Sequence, residues 1–145
     1  MIIFTPNTVI KSADINLNFT ELKTKTDYLT TPDTNWVTVA ANGNPQPSFM
    51  NGWVNYDTSY TEAAFRKDAL GYVHIKGMIK NGAVSFDNAI FQLPVGYTPT
   101  RRYLFSTISN SAIGRIDIRT DGYVTVPTGN NAWITLDGIH FKAEQ

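Results

Sequence analysis

The chain has 145 residues, a length that suits one domain with a short appendage. Its 12 Lys and Arg balance its 12 Asp and Glu, so a formal net charge of +0 gives no electrostatic reason to expect a nucleic-acid or anionic-membrane partner. The absence of cysteine excludes disulfides, Cys-ligated zinc and thiol catalysis. No apolar run approaches the roughly 18 residues of a membrane span. The opening residues also lack the basic and apolar regions of a signal peptide, so we expect synthesis in a cytoplasm and no membrane insertion.

The N-terminal segment predicts a short helix with a thin apolar stripe. Its apolar residues recur in 4-3-7 steps, as a and d positions of a heptad do: Ile15, Phe19, Leu22 and Leu29. So thin a stripe is marginally stable alone in water. It either lies on the core of its own domain or joins copies of itself in a multi-stranded oligomerisation stem. Pro32 ends the helix, so we assign residues 1–34 to a leader and helix and residues 35–145 to a second domain.

Beyond residue 34 the apolar residues alternate with a period of two, which predicts short strands. The clearest alternation covers residues 72–80 and ends at an Asn-Gly turn. Asp121-Gly122 and Asp137-Gly138 each predict a two-residue hairpin between flanking strands. About nine or ten strands without intervening helices predict a mainly β fold, an antiparallel, jelly-roll-like β-sandwich with a short N-terminal helix.

The sequence offers little that could carry catalysis. His74 and His140 each lie in a predicted strand, on the face opposite the apolar residues, without a second ligand at metal-site spacing. No serine stands in a nucleophile-elbow context, and the carboxylates are scattered. We therefore expect no enzymatic activity, no cofactor and no metal site. A small two-carboxylate glycan hydrolase is a remote alternative.

Aromatic residues in polar loops are the most suggestive feature for binding. Trp53, Tyr56 and Tyr60 lie in a stretch rich in Asn, Asp and Thr. Sugar rings stack on exposed aromatic faces while such polar side chains bind their hydroxyls. These three residues are therefore candidate glycan contacts. The alternative is that the aromatics fill the core or a subunit interface.

Two blocks of sequence resemble proteins of the bacteriophage tail. Residues 4–19 resemble the leader at the N-termini of tail-fibre and baseplate proteins, with Asn16-Leu17-Asn18-Phe19 as its most recognisable part. The segments 51–56, 65–68, 71–77 and 91–97, closed by 133–141, resemble a β-domain of tail-tip, host-contact proteins. Together they cover most of the chain.

The resemblance implies a homotrimeric, structural virion protein of the tail tip or baseplate. Its expected partners are copies of itself, other tail or baseplate proteins and host cell-surface polysaccharide, and its expected location is the virion. The role would be host attachment, as a receptor-binding protein, or tail-tip assembly. A free-standing carbohydrate-binding module is the alternative, and oligomeric state separates the two because a lone module has no use for a stem.

Overall fold

Alternating apolar and polar residues form short strands through most of the second half of the chain. The computed structural model describes residues 16, 19–23, 36–40 and 47–144, and eleven strands form within them. The strands are β1 Val37–Thr38, β2 Val54–Asn55, β3 Ala64–Lys67, β4 Tyr72–Lys76, β5 Met78–Lys80, β6 Ser85–Gln92, β7 Tyr103–Ser109, β8 Ala112–Ile118, β9 Tyr123–Thr128, β10 Ile134–Thr135 and β11 Ile139–Lys142.

The strands form two antiparallel sheets that share one hydrophobic core. One sheet has four strands in the order β1-β3-β4-β11, and the other has seven in the order β2-β5-β10-β7-β8-β9-β6. Phe65 of the first sheet stacks on Phe91 of the second with ring centroids 6.1 Å apart, and Phe141 contacts Tyr103 across the same space. Burial of the inward residues of both sheets is the arrangement of a β-sandwich. The predicted mainly β, antiparallel fold is confirmed.

Residues 72–80 form two strands in different sheets, although their alternation predicts a single strand. The chain bends at Gly77, which has a φ of +126°, so β4 joins the four-stranded sheet and β5 the seven-stranded one. A Cβ on Gly77 would lie 2.5 Å from Cα of Ala63, so only glycine fits this close approach. The alternation survives the bend, and Ile75 and Ile79 are both buried.

The two Asp-Gly turns have different outcomes. A hairpin does form at Asp121-Gly122, because β8 pairs with β9 across it, but its loop is longer than the predicted two residues, since the Arg119 N–H donates to the Tyr123 carbonyl. The hairpin predicted at Asp137-Gly138 is wrong: β10 pairs with β5 and β7, whereas β11 pairs with β4 in the other sheet. The Asp137 carboxylate accepts a hydrogen bond from the Gly77 N–H at 2.8 Å, so the two points where the chain changes sheets are joined.

A hairpin without glycine joins β7 to β8. Asn110 and Ser111 occupy its turn with φ values of 45° and 66°. Two consecutive left-handed residues form the turn type that matches the twist of paired strands. The turn was not predicted, because neither Gly nor an Asn-Gly pair marks it in the sequence.

The chain divides into two units, Met1–Thr34 and Asn35–Gln145. In the first, Asn16 and residues 19–23 are helical, and the Thr20 hydroxyl donates to the Asn16 carbonyl at 2.8 Å. Phe19 and Leu22 are 66 % and 61 % exposed, whereas Ile15 and Leu29 lie outside the described residues. In the part of the chain that the structure describes, no helix is long and apolar enough to cross a membrane.

Candidate functional site

The loop between β2 and β3 is held in place by its own polar side chains. The Asn55 side-chain oxygen Oδ1 accepts a hydrogen bond from the Ala63 N–H at 2.8 Å, which closes the base of the loop. The Asp57 carboxylate accepts one from the Ser59 N–H at 2.7 Å, which forms a tight turn at its tip. The loop therefore has a defined shape rather than depending on a ligand for it.

Two tyrosines form the aromatic part of this loop. The rings of Tyr56 and Tyr60 meet edge to face, with centroids 5.2 Å apart and planes at 79°. The Lys80 ammonium lies 5.1 Å from the Tyr56 ring centroid, so Tyr56 is packed between neighbours and half-buried. Tyr60 is 53 % exposed and presents its ring to solvent. Of the two, Tyr60 has the free surface on which a ligand could stack.

Polar side chains line a cleft beside Tyr60. The cleft has a volume of about 490 Å³, and its wall is formed by Asn55, Asp57, Thr58, Tyr60 and Glu62. The backbone N–H and hydroxyl of Ser59 lower the pKa of the Asp57 carboxyl, and the charge of Lys80 adds to their effect. Asp57 is therefore ionised at neutral pH and accepts hydrogen bonds. An exposed ring beside hydroxyl, amide and carboxylate groups is the chemistry that binds sugar hydroxyls.

Trp53 is a core residue, which corrects its place among the candidate glycan contacts. Its side chain is only 1 % exposed, so it presents no ring face to a ligand. A Cβ on Gly82 would lie 2.0 Å from the indole ring, which shows how closely the backbone packs against it. Of the alternative stated for the aromatics, the core therefore accounts for Trp53, whereas Tyr60 is not a core residue.

The register of the four-stranded sheet brings the two histidines together. His74 on β4 pairs directly with His140 on β11, and their ring centroids are 6.1 Å apart. The His74 Nε2–H donates to the Asp68 carboxylate at 2.8 Å. Burial acts to raise the pKa of Asp68, but the hydrogen bonds from His74 and from the N–H groups of Tyr72 and Leu70 outweigh it and lower that pKa. Among the described residues, no three His, Asp or Glu side chains are grouped to hold a metal ion.

The outer face of β7 and β8 exposes apolar side chains. Leu104 and Ile108 are each 57 % exposed, and Ile113, which pairs with Ile108, is 83 % exposed. Adjacent exposed apolar residues often mark a contact surface. No sequence pattern predicts this patch, because both faces of β7 mix apolar and polar residues.

The fold and the cleft define a two-sheet antiparallel β domain that presents a ligand-sized pocket on a loop. Its structure is similar to the crystal structure of the receptor binding protein (gp15) of Listeria phage PSA, with a TM-score of 0.64 and 16 % sequence identity. The match covers 97 % of this chain and 83 % of that protein's chain. No protein-family model and no curated protein matches the sequence. At this identity the similarity establishes a fold shared with that protein.

Proposed function

We propose that this chain is a structural, non-enzymatic protein of a phage virion that contributes to host attachment at the tail tip or baseplate. The observation that carries the proposal is the fold shared with a phage receptor binding protein, at a TM-score of 0.64 over 97 % of the chain. The tail-protein resemblance of residues 4–19 supports it independently. Tail-tip assembly with neighbouring tail proteins is the second role compatible with the same fold.

The cleft beside Tyr60 is the proposed contact with a host-surface glycan. Its exposed ring can stack on a sugar face, while Asn55, Asp57 and Thr58 supply hydrogen-bonding groups around the ring. Single sugar contacts of this kind are weak. Several copies on one rigid particle would turn them into stable attachment through effective concentration.

Binding to a glycan array and to a panel of bacterial cells tests this contact. Replacement of Tyr60 by Ala should lower binding about tenfold or more, because the stacking surface is lost. Phe86→Ala is the matched control, since Phe86 is an aromatic residue of similar exposure, 45 %, on β6. Equal loss of binding in both variants, or none in either, would contradict a contact at the cleft.

The assembly that we propose is a homotrimer joined through the N-terminal helix. Phe19 and Leu22 are exposed in the single chain, although apolar side chains at a and d positions are covered in a coiled coil. Phe19→Asp would place an unpaired carboxylate in the seam and should weaken the assembly. Light scattering measures this directly. A monomeric wild-type protein would contradict the trimer and favour a free-standing carbohydrate-binding module.

The absence of catalysis is also part of the proposal. We expect that incubation with host cell-wall polymers releases no soluble sugar, and that His74→Ala and His140→Ala leave glycan binding at the cleft unchanged. Release of reducing ends by the wild-type protein would instead support a glycan hydrolase.

A further inference from the structure

The paired strands β7 and β8, near the middle of the seven-stranded sheet, turn one face to the core and the other away from it. Ile116 and Ile118 are fully buried in the core, so the residues that alternate with them on β8 point to the outer side. The register sets these residues directly beside residues of β7. We call the three resulting pairs the outer patch: Leu104 with Asp117, Ser106 with Arg115, and Ile108 with Ile113.

The aliphatic side chains of the outer patch are unusually exposed. Leu104 and Ile108 are each 57 % exposed and Ile113 is 83 % exposed, which leaves on the order of 200–300 Å² of apolar surface in contact with water. A standard protein interface buries about 800 Å² on each partner, of which a little over half, about 450 Å², is apolar. The outer patch therefore supplies about half of the apolar area of such an interface and suits its centre.

The charged groups of the outer patch are already paired within one chain. The Asp117 carboxylate accepts hydrogen bonds from Nε and Nη2 of Arg115 at 2.7 and 2.8 Å, and the Arg102 guanidinium lies 3.9 Å from the same carboxylate. The Asp117 side chain is fully buried beneath them. A buried charge opposes association mainly when it lacks a partner, so a protein surface can cover this patch without leaving Asp117 unpaired.

The composition around the patch is that of a protein interface. Residues 81–141, which form β6 to β10, contain four Arg but neither Lys nor Glu, whereas β3, β4, β5 and β11 each contain one Lys. The centres of interfaces are enriched in Arg and depleted in Lys and Glu. Surfaces that bind anionic membranes are instead rich in Lys and Arg around an apolar face. The composition therefore favours a protein as the occupant.

We propose that the outer patch packs against the same patch of a second copy of this chain, so that the β domains join each other directly. The inference rests on the homotrimer of the proposed function and adds a second contact to its N-terminal helix. A sheet face packs well on another sheet face about 10 Å away. Closed symmetry brings the same residues of each copy together at the axis, so aliphatic side chains meet aliphatic side chains, and each copy retains its own pair of Arg115 and Asp117.

The double variant Ile108→Lys with Ile113→Glu tests the contact in the full chain. The two new charges face each other across one hairpin, which preserves the fold of the single chain and its net charge, but assembly would have to desolvate them. Light scattering over a range of concentrations should show an assembly midpoint raised about tenfold or more. The matched control is Leu70→Lys with Val95→Glu, which changes two equally exposed apolar residues elsewhere and should leave the midpoint unchanged. Equal midpoints in the two double variants would overturn the proposal.

A single thiol gives a second measurement that does not depend on the charged variant folding. Because the chain has no cysteine, Ser106→Cys places one thiol within the outer patch, and Ala69→Cys places one at an exposed position of the β3–β4 turn. Reaction of Ser106→Cys with a bulky maleimide should slow about tenfold at concentrations where the protein is assembled. The rate for Ala69→Cys should stay constant. A constant rate for both thiols would overturn the proposal.

The variant Phe19→Asp distinguishes failure of this inference from failure of the proposed function. If Phe19→Asp weakens assembly and the Ile108 and Ile113 changes do not, the helix alone joins the copies, so the trimer stands and the outer patch is overturned. A wild-type protein that is monomeric at every concentration overturns both contacts. Host attachment is measured separately, by cell binding of the wild type and of Tyr60→Ala.

Discussion

Replacement of Trp53 by Ala tests which aromatic residues near the start of the β2–β3 loop belong to the core and which belong to the surface. The side chain is 1 % exposed, and an indole buries up to about 250 Å². At about 25 cal/mol per Å², removing it from the core costs about 6 kcal/mol by area, and measured Trp→Ala changes in cores cost about 3–5 kcal/mol.

One feature of Trp53 moves the expected cost toward the lower end of that range. Its indole Nε1 has no hydrogen-bond partner among the described residues. A buried unpaired N–H opposes folding by about 1–3 kcal/mol, and Trp53→Ala removes that penalty together with the ring. We therefore expect a loss of about 3 kcal/mol in the free energy of unfolding. Trp53→Phe, which keeps a ring and removes the N–H, should cost less than about 2 kcal/mol.

Urea unfolding followed by circular dichroism measures both variants beside Tyr60→Ala. Tyr60 is 53 % exposed, so its truncation should cost about 1 kcal/mol, the worth of its edge-to-face contact. A typical domain stability of about 5–15 kcal/mol leaves all three variants folded in water. If Trp53→Ala cost no more than Tyr60→Ala, the division between core and surface in this segment would be wrong.

Three further predictions concern stability. Ile118→Ala should cost about 2–5 kcal/mol because it leaves a cavity in the core, whereas Arg119→Ala should cost no more than about 1 kcal/mol; equal unfolding midpoints would contradict the register of β8. Gly77→Ala should lower the free energy of unfolding by about 3 kcal/mol or more, because its Cβ would clash with backbone atoms. Gly138→Ala has open space around it and should lower the free energy of unfolding by only about 1 kcal/mol, the cost of its positive φ. Asp68→Asn should weaken the acid dependence of stability. Because the pKa of Asp68 is lowered in the folded protein, its contribution to stability is complete above its unfolded pKa and is lost as pH falls through the folded pKa. If the urea midpoint fell by the same amount between neutral and acidic pH in Asp68→Asn and in the wild type, the prediction would be contradicted.

Local sequence patterns determined which residues face the core. The alternation over residues 72–80 predicts Val73, Ile75 and Ile79 as inward-facing, and all three are buried. The pleat places successive side chains on opposite faces of a strand, so the inward set follows from neighbouring residues alone. The same reasoning gives the mainly β fold class, because turn residues and alternation are both local signals.

The same local patterns do not determine which strands pair with each other. Asp121-Gly122 and Asp137-Gly138 have the same residues and similar glycine φ values, 87° and 83°. The first joins two strands of one sheet, and the second carries the chain between sheets. The difference depends on which distant strands compete for the backbone hydrogen bonds, since β5 and β7 pair with β10 and β4 pairs with β11.

The candidate site also depends partly on local sequence and partly on tertiary structure. Composition alone selects the loop that holds Tyr56 and Tyr60, because aromatic residues among Asn, Asp and Thr are visible in the sequence. It does not separate Trp53 from Tyr60, because burial of Trp53 depends on its close packing against Gly82, 29 residues away. The pair of histidines likewise arises from tertiary structure. His74 and His140 are far apart along the chain, and only the register of β4 and β11 places their rings side by side, because pairing between strands is a long-range interaction that no local pattern encodes.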